Sequence, residues 1–220
     1  LDSGDLAYLS KKARKMLDEA GLKSVKIIAS NQLNEYVIKS LLKDQNAAID
    51  AFGIGTELVT GKSDAALDGV YKLVEINGKP KMKISENIEK ITQPCKKQVY
   101  RFFDNNGNFF RDGIFLQNEN IEETDMIYHP VYPEKNTRIK NLTKEALLQQ
   151  VVSNGKIMLA RLPLAEIHKY LVTRAGFLPN EHKRFISPHL YKVGISKKLL
   201  EFRNMLSNQI KLNIELNKNG

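Results

Sequence analysis

Two glycines around a single residue, Gly53-Ile54-Gly55, stand directly before Thr56 and end a short apolar run, Ala48-Ile49-Asp50-Ala51-Phe52. Paired glycines let a backbone approach a ligand closely and aim successive N–H groups at it. Thr56 adds a hydroxyl at the same place. At the C-terminal end of a parallel strand, such a turn suits a phosphate group. By itself the pattern is more often an ordinary tight turn, so its neighbours must decide. Two other polar turns stand earlier in the chain: Ser30-Asn31, after the run Val25-Lys26-Ile27-Ile28-Ala29, and Asp2-Ser3-Gly4-Asp5 at the start.

The elements that position these turns are legible in residues 1–60. Leu6, Leu9, Ala13, Met16, Leu17 and Ala20 recur at helical spacing, with Asp5 placed as N-cap and Gly21 as left-handed terminator. Val25–Ala29 is rich in β-branched residues and reads as a strand. A second helix is predicted from about Asn34 to Lys43, with Tyr36, Val37, Leu41 and Ile38 inward. Ala48–Phe52, apolar and bounded by glycines, reads as the next strand. The succession turn–helix–strand–turn–helix–strand–turn puts all three polar turns at strand C-termini. Parallel strands in βα units bring such turns together on one rim of a barrel or sheet, where the chemistry of these folds sits.

The pattern changes after Gly61. Val70–Ile76 and Lys81–Ile84 are predicted to pair through Asn77-Gly78, a strong hairpin signal. Gln98–Phe103 and Phe109–Leu116 pair similarly around Asp104–Asn108. Their aromatics, Tyr100, Phe102, Phe103, Phe109, Phe110 and Phe115, fit a hydrophobic sheet face better than a base-stacking platform. The last third reads as helical: Thr143 through Val152, Leu164 through Ala175, and a helix capped by Ser196 with Leu199, Leu200, Phe202, Leu206 and Ile210 on one stripe. The expected fold class is therefore α/β. Residues 1–66 are expected to form a βα segment of a barrel or sheet, 67–135 an antiparallel β-rich segment, and 136–220 a helical segment.

Composition narrows the function classes. The hydrophobic content of 42% is enough for a real core in 220 residues. No apolar segment approaches the about 20 residues of a membrane span, and no signal peptide opens the chain. The single cysteine, Cys95, excludes an internal disulfide framework, fits a cytoplasmic setting, and reads as a loop residue rather than a nucleophile. The net charge of +9 lies wholly in residues 61–220, because residues 1–60 carry eight basic and eight acidic side chains. Its lysines are scattered, as on a solvated surface, and argue against nucleic acid as the partner. Glu181, His182 and His189 invite a metal reading that neither spacing nor a third ligand supports. These two histidines, with His129 and His168, read as structural or surface residues. The chain lacks an initiator Met and is expected to begin within a domain.

Several blocks in order resemble one family. LDSGDLAYLSKKAR, IIASNQLNEYVI, IDAFGIGTELVTG and DGVYKLVEINGKPKMKISE are similar to the C-terminal half of nicotinate phosphoribosyltransferase, and LPNEHKRFISPHLYKV is similar to its end. The resemblance covers nearly the whole chain. It implies formation of nicotinate mononucleotide from nicotinate and phosphoribosyl pyrophosphate, coupled to ATP hydrolysis and requiring Mg²⁺, as the entry step of NAD salvage. It implies an irregular, TIM-like α/β barrel flanked by a mixed α/β sandwich domain, and a homodimer in the full-length protein. Carried over, Gly53, Gly55 and Thr56 match the loop that holds the 5′-phosphate. Ser30 and Asn31 match the neighbouring phosphate and ribose contacts. Asp2, Ser3 and Gly4 match the motif beside ribose and nicotinate, with Asp2 the residue that would act in catalysis. The family's phosphorylated histidine, nicotinate-stacking aromatic and substrate-binding arginines match positions upstream of Leu1 or at its edge. The fragment is therefore expected to be silent without its N-terminal half. The chain departs from the family at Gln32 and Asn34, often acidic, and at Cys95, often Gly.

Other readings stay open on the sequence. A relative acting on nicotinamide or another pyridine base would share the same phosphate half. A non-catalytic basic module would bind RNA or DNA with salt-dependent affinity. A structural partner domain would bind neither.

Overall fold

A computed structural model describes residues 1–62, 65, 69–85 and 90–218. The chain divides into two compact units, Leu1–Val70 and Tyr71–Gly220. The expected boundary at 66/67 falls on residues outside those described.

The first unit is built as strand–helix–strand. Helix α1 spans Leu6–Glu19, and the Asp5 carboxylate accepts from the Tyr8 amide at 2.9 Å, which supplies a partner for one orphan donor of the first turn. Strand β1 (Ile28–Ser30) runs parallel to β2 (Ala51–Gly53), joined by α2 (Glu35–Lys39) and a π-helical turn, Ser40–Asp44. Helix α3 follows at Thr56–Thr60. Both strands begin later than their apolar runs suggest. The cause is Asp50, whose carboxylate accepts from the Ile27 amide at 2.7 Å and takes the place of a ladder bond. Ala7, Ala29, Leu33 and Leu41 form the buried core, with Leu6, Ile38, Ala47, Ile49 and Phe52 packed against it. Tyr36 and Val37, expected inward, are exposed, as is Met16; Leu33, before the helix, takes the core position instead.

The second unit is a six-stranded mixed sheet. After a small hairpin, β3 (Glu75–Ile76) and β4 (Lys79–Pro80), come β5 (Lys97–Phe103), β6 (Phe109–Leu116), β7 (Met126–Tyr128), β8 (Asn136–Arg138) and β9 (Lys144–Ala146). A second hairpin, β10 (Val152–Ser153) and β11 (Lys156–Ile157), leads to α4 (Leu164–Gly176), β12 (Val193–Ser196) and α5 (Lys197–Lys218). The sheet order is β8-β7-β12-β6-β5-β9, with β12 parallel to β6 and every other pairing antiparallel. Phe102, Phe115, Ile127 and Ile139 fill one cluster, and Ile195, Leu199 and Leu200 another beneath α5. Phe102, Phe109 and Phe115 of β5 and β6 are buried, and half-buried Tyr100 meets Phe115 edge-on, with centroids 5.6 Å apart. Ser196 caps α5 as expected, accepting from the Leu199 amide at 3.1 Å.

Two corrections concern this unit. The helix expected over Thr143–Val152 is absent: Lys144–Ala146 instead pairs with Tyr100–Phe102 on the free edge of β5, and Arg174 clasps Glu145 there. The segment 136–220 thus holds strands as well as helices. The strands expected over Val70–Ile76 and Lys81–Ile84 give way to a short pair, β3 at the end of the first and β4 just before the second, and among the described residues no third strand pairs with either. Their turn is as predicted, with Asn77 and Gly78 both at positive φ, 49° and 72°.

Candidate functional site

Register places Ser30 directly beside Gly53 at the C-terminal ends of β1 and β2. Leu1 extends the same rim. Its amino group donates to the Ile28 carbonyl at 2.8 Å, and its carbonyl accepts from the Ser30 amide at 2.8 Å, the bonding pattern of a parallel pair. The three polar turns therefore leave adjacent strand ends. Asn31 links two of them, since its side-chain amide donates to the Asp2 carbonyl at 3.0 Å.

The scaffold beneath is fixed by α1. Buried Ser10 donates to the Ala7 carbonyl and accepts from the Ala48 amide, both at 3.0 Å, and so ties the helix to the approach of β2. Arg14 donates to the Val25 and Leu22 carbonyls at 2.6 and 3.0 Å and fixes the approach to β1.

At the rim the backbone takes unusual conformations. Asn31 and Gln32 are consecutive residues at positive φ, 76° and 49°. Left-handed non-glycine residues cost on the order of 1–3 kcal/mol each and collect at ligand sites. Gly4 has φ +74°, and a side chain there would also meet Leu9 at 3.1 Å. Gly55 is different: a Cβ added to it would meet nothing within 4 Å, because it faces open space.

That space is a cavity of about 820 Å³ lined by Asn31, Gln32, Asn34, Gly53, Gly55, Thr56 and their neighbours Leu33, Glu57 and Lys62. Of the residues singled out in the sequence, Asn31, Gly53, Gly55 and Thr56 line it together. Ser30 lies one strand position behind Asn31, level with Gly53. Asp2 is exposed, joined to the site through Asn31, with Ser3 Oγ 3.4 Å from its carboxylate. Asp2, Ser3 and Gly4 do not line the cavity. Lys62, overlooked in the sequence, supplies its cation and pairs with Glu57 at 2.9 Å. The spacing of Lys62 from the glycine turn carried no signal in the sequence, where it reads as one more surface lysine. Asn34 has a second duty as N-cap of α2, accepting from the Val37 amide at 2.9 Å.

The donor set suits an anion. Backbone amides at two glycines, the hydroxyl of Thr56, the amides of Asn31 and Asn34 and the ammonium of Lys62 surround the space. Among the described residues, no three His, Cys, Asp or Glu side chains form a group able to hold a metal ion. Glu57, the carboxylate of the lining, is held by Lys62, so Mg²⁺ there would draw most of its oxygen ligands from substrate phosphates and water. In the histidine pair, His182 Nδ1 lies 2.6 Å from the His189 carbonyl oxygen, and the two rings are tilted at 42° with centroids 5.1 Å apart.

A strand–helix–strand unit with a glycine turn at its strand ends is α/β architecture, a class whose members take ligands at the carboxyl ends of their strands. Comparison with known proteins narrows the class. Residues 1–112 match the nicotinate phosphoribosyltransferase (NAPRTase) family, and residues 96–203 match the nicotinate phosphoribosyltransferase C-terminal domain. The chain is similar to nicotinate phosphoribosyltransferase of Bacillus subtilis (strain 168), 39% identical over 98% of this chain and 45% of that protein. It is 30% identical to the human enzyme of the same name, over 94% of this chain and 40% of that one. The crystal structure of human nicotinic acid phosphoribosyltransferase superposes with a TM-score of 0.75 at 26% identity, covering 94% of this chain and 39% of the other. The chain belongs to the nicotinate phosphoribosyltransferase family. It spans less than half the length of these relatives.

Proposed function

We propose that this chain supplies the phosphate- and ribose-holding part of a nicotinate phosphoribosyltransferase. The whole enzyme would join nicotinate to phosphoribosyl pyrophosphate, giving nicotinate mononucleotide and pyrophosphate with coupled ATP hydrolysis and Mg²⁺, in NAD salvage. The observation that carries the reading is the cavity at the ends of β1 and β2, where Gly53, Gly55, Thr56 and Asn31 converge. The nucleotide's 5′-phosphate would sit against the Gly53–Thr56 backbone, with Lys62 released from Glu57 to meet it. Asp2, with Ser3 and Gly4 at the next strand end, would face the ribose and stabilise positive charge developing there as pyrophosphate leaves. ATP and Mg²⁺ enter from the family resemblance alone. The barrel-like completion of the first unit, a homodimer and a cytoplasmic setting belong to the same proposal. No described helix is long and apolar enough to cross a membrane.

Calorimetric titration of the chain with nicotinate mononucleotide, and separately with the riboside lacking the phosphate, tests the reading. Saturable heat with the nucleotide and at least tenfold weaker binding of the riboside is the expected result. Equal affinity for the two would remove the phosphate from the site.

A further inference from the structure

The second unit carries a cleft that the phosphoribosyl reading does not use. It measures about 450 Å³ and lies on one face of the sheet, across β8, β7, β12 and β6. Register explains its make-up. Ile127 pairs with Thr137 and Gly194 with Gly113, and the His129 amide donates to the Lys135 carbonyl. Side chains alternate faces along a strand, so Lys135, His129, Lys192 and Arg111 fall on the same face as Ile127. Gly194 and Gly113 lie between them. A Cβ at Gly194 would come within 2.9 Å of Ile127, and one at Gly113 within 2.7 Å of Phe115. The floor must therefore stay low and apolar while the rim is basic.

The cations of that rim are unmatched. Nearby Arg101 grips Asp112 through two bonds of 2.9 and 2.8 Å, and Arg174 grips Glu145. Arg111 has no such partner among the described residues. Its Nε is buried without a hydrogen bond, and the guanidinium rests on Phe110 at 4.9 Å. Burial lowers its affinity for the proton, the direction expected of a desolvated cation lacking a counter-charge. No acidic residue lines the cleft, and among the described residues no carboxylate pairs with Lys135 or Lys192. The His129 ring accepts the Val131 and Tyr132 amides at Nδ1, both at 3.1 Å, so the neutral ring carries its proton on Nε2 as a donor. A cation buried without a counter-charge is costly, and an oxyanion in the cleft would supply the charge that the Arg111 guanidinium lacks.

We propose that this cleft binds a small organic phosphate, its oxyanion held by Arg111, Lys192 and Lys135 and its apolar body lying on Ile127 and Gly194. The volume is ample for a phosphomonoester with one ring. The site uses only residues of the second unit, so it stands whether or not the nucleotide binds at the ends of β1 and β2.

Phenyl phosphate is the probe, with inorganic phosphate beside it, titrated into the ¹⁵N-labelled 220-residue chain. The expected result is saturable shifts of the His129 and Gly194 amides, with tighter binding of phenyl phosphate than of inorganic phosphate. Arg111→Gln and Lys192→Gln should each weaken binding about tenfold, while Lys198→Gln on α5 leaves it unchanged. Lys192 is exposed, so its variant tests the site even where Arg111→Gln disturbs the sheet. Non-saturable shifts, shifts confined to Asn31 through Thr56, or binding that Lys192→Gln leaves intact would overturn the proposal. Equal affinity for the two probes would overturn its organic half.

Discussion

At the scale of single residues, the site rests on a few side chains whose partners are fixed. Ser10 is fully buried between α1 and β2, and Ser10→Ala would leave the Ala48 amide without its acceptor. A loss of about 1–3 kcal/mol is expected, read as a lowered urea midpoint at unchanged slope. Cys95 illustrates the opposite case. It sits at φ +68°, a conformation that suits glycine. Cys95→Gly should therefore raise stability by about 1 kcal/mol, the left-handed strain relieved being partly offset by glycine's larger entropy loss. Burial pushes the Cys95 thiol up, against the opposing pull of Lys97. Alkylation of the native chain near pH 8 should accordingly be slower than that of a free thiol, and equal rates would contradict this. Neither the strain at Asn31 and Gln32 nor the role of Lys62 was legible in the sequence. Backbone sign depends on the tertiary turn, and an exposed lysine looks like any other until a cavity forms beside it.

Elements were more legible where one face is buried. The β5–β6 pair was read almost to the residue, since alternating aromatics and a polar turn specify both strands and register. That turn is closed by Asp104, whose carboxylate accepts from the Asn106 and Asn108 amides at 2.9 and 2.8 Å. These bonds, led by Asn108, hold its carboxyl below the usual range. A depressed native value means the contribution is present above the unfolded carboxylate pKa and is lost as pH falls through the native one. Asp104→Asn should thus lower the thermal midpoint at pH 7, with the gap to wild type closing in acid. A gap that stays constant would contradict the assignment. Gly113 makes a second test of the sheet. Gly113→Ala places a methyl on Phe115 and should cost about 1–3 kcal/mol, measured by thermal unfolding. The stretch after Thr143 misled for a physical reason. Its apolar residues recur at helical spacing and its Lys, Glu, Ala, Leu and Gln residues are good helix formers, yet the open edge of β5 offered ladder hydrogen bonds that outweighed that preference. The Asn154-Gly155 hairpin carries the same two-residue signal as Asn77-Gly78 and begins where that expected helix ended, at Val152.

For the whole molecule, the charge distribution and the three-turn rim were both readable, and the strand ends meet as the βα order required. The extent of the protein is a different matter. The chain spans 45% or less of its relatives, and α4 leaves Leu164, Tyr170 and Leu171 exposed by 80%, 65% and 62%. Apolar surface of that kind seeks a partner. Sedimentation should show concentration-dependent association of the isolated chain, and a monodisperse monomer over the whole range would contradict it.

The central claim is that the ends of β1 and β2 hold the nucleotide phosphate, and Gly55 gives the most direct test. A side chain there meets nothing in the protein, so Gly55→Val fills only the ligand's space. The measurement is nicotinate mononucleotide titrated into wild type and Gly55→Val, with amide shifts followed at Gly53, Gly55 and Thr56. Shifts at these residues in wild type and loss of binding in a folded Gly55→Val are predicted. Undiminished binding to Gly55→Val would contradict the account.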